Sequence, residues 1–162
     1  MAEKRILVTG MSGLIGGIVR RQLEGKYELS ALNRSDVPGV KTFQADISDL
    51  TAIRPAFDGQ DCVVHLAAML GMNSTDEEML QANVIGTYNV FMAARDAGVK
   101  RIVYASSGAT ISGYERIEPY KSLVEGRYED APASWPMITH ETPMRPHGGY
   151  GASKRWGEAL AR

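Results

Sequence analysis

The chain has 162 residues, 44% of them hydrophobic and 23% charged, with 18 Lys and Arg against 19 Asp and Glu. That is the size of one globular domain able to bury its own core, and a net charge of -1 carries no electrostatic footprint for nucleic acid. The single cysteine, Cys62, excludes an internal disulfide and any cysteine-based metal cluster. No apolar run approaches the roughly 20 residues that cross a bilayer. The opening residues lead into a strand-like run with no signal-peptide pattern. The expectation is a cytoplasmic protein that binds neither membrane nor nucleic acid.

Apolar runs alternate with helical patterns, which predicts an α/β domain spanning residues 1–162. Arg5-Ile6-Leu7-Val8-Thr9 reads as a strand buried on both faces. A helix follows, with Ile15, Ile18, Val19 and Leu23 at helical spacing and Gly25 as its stop. Tyr27–Leu32 and Thr42–Ala45 read as the second and third strands, and Asp49–Phe57 as a modest helix. Cys62–Leu66 is the fourth strand. The longest helix is expected over Asp76–Ala97, with Leu80, Val84, Thr87, Phe91 and Ala94 on one face and Met79, Val90 and Ala97 beside it. Arg101–Ser106 is the fifth strand. Residues 113–149 hold most of the prolines and little periodicity, which marks a long loop. A final helix begins near Tyr150. The expected architecture is a Rossmann-type, doubly wound parallel sheet in the order 3-2-1-4-5.

The turn after the first strand reads Thr9-Gly10-Met11-Ser12-Gly13-Leu14-Ile15-Gly16. Glycines spaced this way, closing a buried strand and opening an amphipathic helix, are a dinucleotide-binding pattern. Gly10 permits the tight turn, Gly13 lets backbone approach a pyrophosphate, and Gly16 allows close packing of the helix. The phosphates would sit on free N–H groups at the helix N-terminus, near Ser12, Gly13, Leu14 and Ile15. After the second strand, an acidic residue would bind the ribose 2′-OH; here stand Asn33, Arg34 and Ser35. Arg34 with Ser35 suits a 2′-phosphate, which favours NADP, while Asn33 on a 2′-OH leaves NAD open. Asp46 is placed either to meet the adenine edge or to cap the following helix.

Tyr150-Gly151-Ala152-Ser153-Lys154 puts a phenol and an ammonium one turn apart on one helix face. A free tyrosine, with a pKa of about 10, is a poor acid-base group at neutral pH. A neighbouring ammonium favours the phenolate. With Ser107 at the end of the fifth strand, the three fit proton transfer to or from an alcohol or carbonyl during hydride transfer.

These residues resemble the extended short-chain dehydrogenase/reductase superfamily, in particular its NAD-dependent epimerase/dehydratase family. The resemblance spans the chain. It rests on Thr9-Gly10-x-x-Gly13-x-x-Gly16, His65-Leu66-Ala67-Ala68, Asn83-Val84-x-Gly86-Thr87, Tyr104-Ala105-Ser106-Ser107, Glu141-Thr142-Pro143-x-x-Pro146 and Tyr150-Gly151-x-Ser153-Lys154. It implies an NAD(P)-dependent oxidoreductase or epimerase acting on a sugar, nucleotide-sugar or similar hydroxy/keto substrate. Tyr150 would be the acid/base, Lys154 would bind the nicotinamide ribose and tune Tyr150, and Ser107 would orient the substrate. Asp46 with Ile47 would border the adenine, Leu66, Ala67 and Ala68 would line the cofactor, and Asn83 would support it from the long helix. Members of the family are commonly dimeric, which makes a homodimer of the full-length form the expectation. A dinucleotide-sensing module without catalysis is the competing class; it has no need of a tuned phenol.

Three departures stand out. The loop after Ser107 lacks the family's usual Tyr-Gly pair at the expected place, reading Gly108-Ala109-Thr110-Ile111-Ser112-Gly113, and counting back from Gly113 puts Gly108 at the position that Ser107 takes when counted from the fifth strand. The interval from Ser107 to Tyr150 is long, with an extra stretch over Tyr114–Pro136 whose Tyr114, Tyr120, Tyr128 and Trp135 either stack on a ligand ring or anchor a surface excursion. Family members also continue past this point into further strands and a small substrate-binding domain, so the chain is expected to hold the cofactor half and to lack the far sheet edge. His65 is expected to be a packed core histidine. His140 and His147 lack metal-ligand spacing, and no metal site is predicted. Met69 and Met72 are candidates for the nicotinamide border or for gap-filling.

Overall fold

The computed structural model describes residues 4–70 and 74–162. Its centre is a five-stranded sheet in the order β3-β2-β1-β4-β5, built from β1 (Arg5–Thr9), β2 (Glu28–Asn33), β3 (Lys41–Gln44), β4 (Cys62–His65) and β5 (Arg101–Tyr104). All four pairings are parallel, including β1 with β4, where Leu7 lies beside Val63. Both the strand order and the parallel sense match the expected Rossmann-type topology. The strands end one or two residues short of the expected apolar runs at Leu66 and Ser106, because the chain there leaves the ladder to form the turns of the site.

Alternation along β1 divides the core into two layers. Leu7 joins Leu32, Val63, Ile53, Phe57, Val90 and Ala94 on the face covered by α2 (Leu50–Ile53, continued as a 3₁₀ turn over Arg54–Phe57) and α4 (Thr87–Asp96). Ile6 and Val8 join Met11, Ala31 and Val37 on the face covered by α1 (Leu14–Leu23), through Val19 and Leu23. Ile15 and Ile18, expected on the inner stripe of α1, are exposed. The first turn of the helix lies so close to the preceding turn that only Gly16, without a Cβ, fits against it, and Val19 and Leu23 make the inward contacts further on.

The long helix is not continuous. Thr75 caps α3 (Asp76–Met79) with a reciprocal Glu78 capping box, and Leu80–Gly86 then widens into a π-helix before α4 begins. The inserted turn rotates the helix face. Met79, Asn83, Thr87, Val90, Phe91 and Ala94 point inward, whereas Leu80, predicted to face the sheet, is 45% exposed.

Residues 113–149 are more ordered than a plain loop. They contain 3₁₀ turns and a short helix, α5 (Tyr120–Val124). Tyr114 donates to the Pro143 carbonyl at 2.9 Å and Tyr120 to that of Pro136 at 2.7 Å, and their rings meet edge to face at 5.7 Å. These two tyrosines anchor the excursion to itself, while Tyr128 and Trp135 remain exposed. The last helix, α6 (Gly148–Leu160), packs on the π-helical segment and on the 3₁₀ turn over Gly108–Thr110, with α3 and α4 alongside.

Candidate active site

The carboxyl ends of β1, β2 and β4 frame a groove of about 330 Å³. Gly10 turns the chain out of β1 with φ +73°, and a Cβ there would lie 2.8 Å from the Ala67 backbone nitrogen. Its N–H donates to the Leu32 carbonyl at 3.1 Å, which ties the turn to β2. A Cβ at Gly16 would meet the Gly10 carbonyl oxygen at 2.4 Å. These contacts are backbone, so the turn tolerates no side chain at either position. The first N–H groups of α1 have no intrahelical acceptor and carry the positive end of its dipole.

The groove brings together Gly10, Ser12, Gly13, Asn33, Arg34, Ser35, Asp46, Ile47, Leu66, Ala67 and Ala68, all predicted from sequence. Leu32, Ala45, Met69 and Ala82 complete the lining. Leu32 and Ala45 end neighbouring strands, the place where open α/β sheets bind ligands, and that rule was available to find them. Leu14, Ile15 and Gly16 are not in the lining: the first two are exposed on α1, and Gly16 is buried beneath the turn. Met72 lies outside the described residues.

Asn33 is nearly buried. Its Nδ2 donates to Ser12 Oγ at 2.7 Å, and its Oδ1 is buried with no hydrogen-bond partner among the described residues. A buried acceptor left unpaired is costly, and this one belongs to a groove-lining residue. Asp46 does not cap α2; Asp49 does, accepting from the Ala52 N–H at 3.0 Å. One Asp46 oxygen accepts from both the N–H and the hydroxyl of Ser48. Hydrogen bonding by the Ser48 backbone, helped by its hydroxyl and by the charge of Arg34, holds the carboxyl below its usual range against the cost of burial. Arg34 itself is exposed and belongs to no ion pair among the described residues.

A support missed by the sequence reading is Asn89, whose Nδ2 donates to the carbonyls of Ile47 and Ser48 at 3.0 and 2.9 Å. It fixes the Asp46–Ile47 wall from beneath. The inward-facing Asn89-Val90-Phe91 run of α4 carried the signal, since a buried amide needs partners.

Asn83, expected among cofactor contacts, is not in the groove lining. It is buried, with Oδ1 accepting from the Met69 N–H at 2.7 Å and Nδ2 donating to the Met69 carbonyl at 2.9 Å and to Ser153 Oγ at 3.2 Å. It is a clamp that ties the groove wall to α6. His65 is a core histidine, as expected. Thr9 accepts from the N–H groups of Leu66 and Ala67, so its hydroxyl proton goes to His65 Nδ1 at 2.6 Å. His65 Nε2–H then donates to Thr87 Oγ1 at 3.2 Å. Full burial, with the charge of Lys154 adding to it, drives the imidazole pKa down to about 3, so the ring is neutral.

Beyond the groove wall, at the carboxyl end of β5, lies the Tyr150–Lys154 pair. α6 begins against the Ser107–Thr110 turn, so closely that a Cβ on Gly151 would be 2.5 Å from the Ala109 carbonyl oxygen. Lys154 is buried; its Nζ donates to the Ala105 carbonyl at 2.7 Å and lies 5.8 Å from the Tyr150 ring centre. Burial lowers its pKa. Ser107 Oγ accepts from the Ala109 N–H at 3.2 Å, which leaves its own proton to donate elsewhere. The hydroxyl of Ser106 is taken by Glu158. Among the described residues no group of His, Cys, Asp and Glu is placed to hold a metal ion, and no helix is long and apolar enough to cross a membrane.

The chain is similar to uronate dehydrogenase from Agrobacterium fabrum, 36% identical over 98% of this chain and 55% of that protein. It is also similar to L-arabinose 1-dehydrogenase (NAD(P)(+)) from Haloferax volcanii, 32% identical over 96% of this chain and 59% of that one. The crystal structure of a uronate dehydrogenase mutant from Agrobacterium tumefaciens complexed with NAD superposes with a TM-score of 0.77 at 34% identity, covering 99% of this chain and 55% of its own. The chain thus spans little more than half the length of these relatives. The model of the NAD dependent epimerase/dehydratase family matches residues 6–162, and the chain belongs to that family.

Proposed function

We propose that this chain carries the cofactor groove and the proton-transfer pair of an NAD(P)-dependent dehydrogenase that oxidises a hydroxyl of a monosaccharide or its uronic acid. The observation that carries the reading is Lys154: a buried ammonium held on a backbone carbonyl, beside Tyr150, on a helix that Asn83 ties to the groove wall. Burying a lysine is costly, and a module that only sensed a dinucleotide would gain nothing from a buried charge beside a phenol. The names of the relatives supply the substrate class.

The residues present fit a dinucleotide. The Gly10–Gly16 turn and the first N–H groups of α1 would hold the pyrophosphate. Asn33 Oδ1, which has no partner among the described residues, would accept from a ribose hydroxyl, and Arg34 with Ser35 would meet a 2′-phosphate, which favours NADP over NAD. Bound NAD(P)⁺ supplies the hydride acceptor. Tyr150 takes the proton of the substrate hydroxyl as the carbon–hydrogen pair leaves and the carbonyl forms. The buried Lys154 ammonium stands 5.8 Å from the Tyr150 ring centre, and the free Ser107 proton is donated to the substrate oxygen.

The test is turnover of the full-length protein with NAD⁺ and NADP⁺ on a panel of aldoses and uronic acids. Tyr150→Phe should lower kcat by about 10²–10⁴-fold, the typical worth of general acid-base catalysis, with cofactor affinity nearly unchanged. Retained activity in that variant overturns the assignment.

A further inference from the structure

Lys154 has no carboxylate. Among the described residues it forms no ion pair, yet it is 3% exposed. Besides the Ala105 carbonyl, two aromatic rings stand near its Nζ, the Tyr104 ring centre at 5.0 Å and that of Tyr150 at 5.8 Å. The Tyr104 ring is the fixed one. It is packed against His65 at 5.7 Å and edge-on against Phe91 at 6.0 Å, and its hydroxyl end lies over Gly157, where a Cβ would come within 2.2 Å of the oxygen. Gly157 stands one turn beyond Lys154 on α6, so the missing side chain makes room for this ring beside the lysine.

A buried ammonium needs stabilisation, and a carboxylate would be the strongest source. A carboxylate would also cancel the positive field that Tyr150 needs. An aromatic face attracts a cation through its quadrupole and adds no net charge. We propose that Tyr104 is a positioning residue for the Tyr150–Lys154 pair: its ring face holds the Lys154 ammonium on the Ala105 carbonyl while leaving its charge uncancelled. The proposal rests on the reading of Tyr150 and Lys154 as the proton-transfer pair. The titratable groups facing this ammonium are His65 from β4, held neutral, Tyr150 from α6, and Tyr104 itself, whose hydroxyl burial pushes up to about 12. Glu158 of α6 also faces the Tyr104 ring, with its carboxylate taken by Ser106. From α4 the neighbour is the apolar Phe91.

The experiment replaces Tyr104 in the full-length protein with Phe, then with mono-, di- and trifluorophenylalanine. These rings are nearly isosteric, so packing is preserved while the electron density of the face falls stepwise. Two quantities are read: the titration of the Lys154 side-chain ammonium by NMR, which needs no turnover, and kcat with KM for a sugar that the wild type oxidises. Tyr104→Phe should stay within about twofold of wild type, because the ring is kept. Along the fluorinated series the Lys154 pKa should fall by about half a unit to one unit in total, and kcat should fall with it at constant KM. A Lys154 pKa that is flat across the series overturns the role of Tyr104, whatever Tyr104→Leu does to folding. Turnover that survives Tyr150→Phe overturns the proton-transfer reading instead, and the NMR series still decides whether the ring holds the ammonium.

Discussion

Asn83 and Ser153, seventy residues apart, share a hydrogen bond of 3.2 Å between the π-helical segment and α6. The same Asn83 amide grips both backbone groups of Met69 on the groove wall, and Ser153 in turn donates to the Tyr150 carbonyl at 2.8 Å. One side chain therefore sets the cofactor wall and the helix of the proton-transfer pair in a single frame. Truncation would leave a buried N–H, a carbonyl and a hydroxyl short of a partner, at about 1–3 kcal/mol for each orphaned group. Asn83→Ala should lower unfolding stability by about 3 kcal/mol or more in urea titration and weaken NAD(P) binding, although the residue does not line the groove.

The glycine turn separates a folding role from a binding role. A methyl at Gly16 meets backbone of Gly10 and Met11 at 2.4–2.6 Å, whereas one at Gly13 meets only the Gly10 carbonyl at 3.3 Å. Gly16→Ala should cost about 1–3 kcal/mol of stability or more, as overpacking does. Gly13→Ala should fold with little loss and weaken the dinucleotide, because its Cβ would stand where a pyrophosphate approaches. Thermal unfolding and cofactor titration of the two variants check the split.

Arg34 sits on the groove rim with Ser35, near enough to Asp46 to lower the carboxyl pKa. Losing a charged hydrogen bond to a 2′-phosphate should cost about 1.5–3 kcal/mol. Arg34→Ala should therefore raise the Kd for NADP by one to two decades while leaving that for NAD close to wild type. An equal change for both cofactors rejects Arg34 as the discriminator.

Much of this was legible in the chain itself, for reasons tied to particular residues. The run Ile6-Leu7-Val8 is apolar without alternation because both sheet faces are covered, and that pattern gave the parallel topology. The Gly10–Gly16 spacing and the Tyr150/Lys154 offset mark local geometries that few other residue choices satisfy. In the long helix a 3.6-residue period does not hold through Leu80–Gly86, which is π-helical. Leu80 then fell on the calculated inner face, while Met79 and Asn83 occupy the real one. Tertiary hydrogen bonds of Asn83 accompany the wider turn, and no periodicity encodes them. For Asp46 the sequence leaves two places open, the adenine edge and the helix cap; its bonds to Ser48 and the Asp49 cap on Ala52 put it on the groove wall.

His65 gives the last prediction, a pH dependence of stability. In the folded chain, burial and then the Lys154 charge depress its pKa from 6.5 to about 3. The unfolded chain therefore binds a proton that the native state refuses at every pH between these values. Stability from this group is full above pH 6.5 and is lost as pH falls, at about 1.4 kcal/mol per unit. Between pH 6.5 and 4.5 the loss should reach about 2–3 kcal/mol. The carboxylates held low in the fold, Asp46 and Glu78 among them, lose their contribution below this window, so the slope above pH 4.5 belongs mainly to His65. Urea unfolding of wild type should show that slope from pH 6.5 downward, and His65→Gln, though less stable at pH 7 through its lost hydrogen bonds to Thr9 and Thr87, should be nearly flat over the same range. A wild type as flat as the variant would mean that the buried imidazole accepts its proton without unfolding.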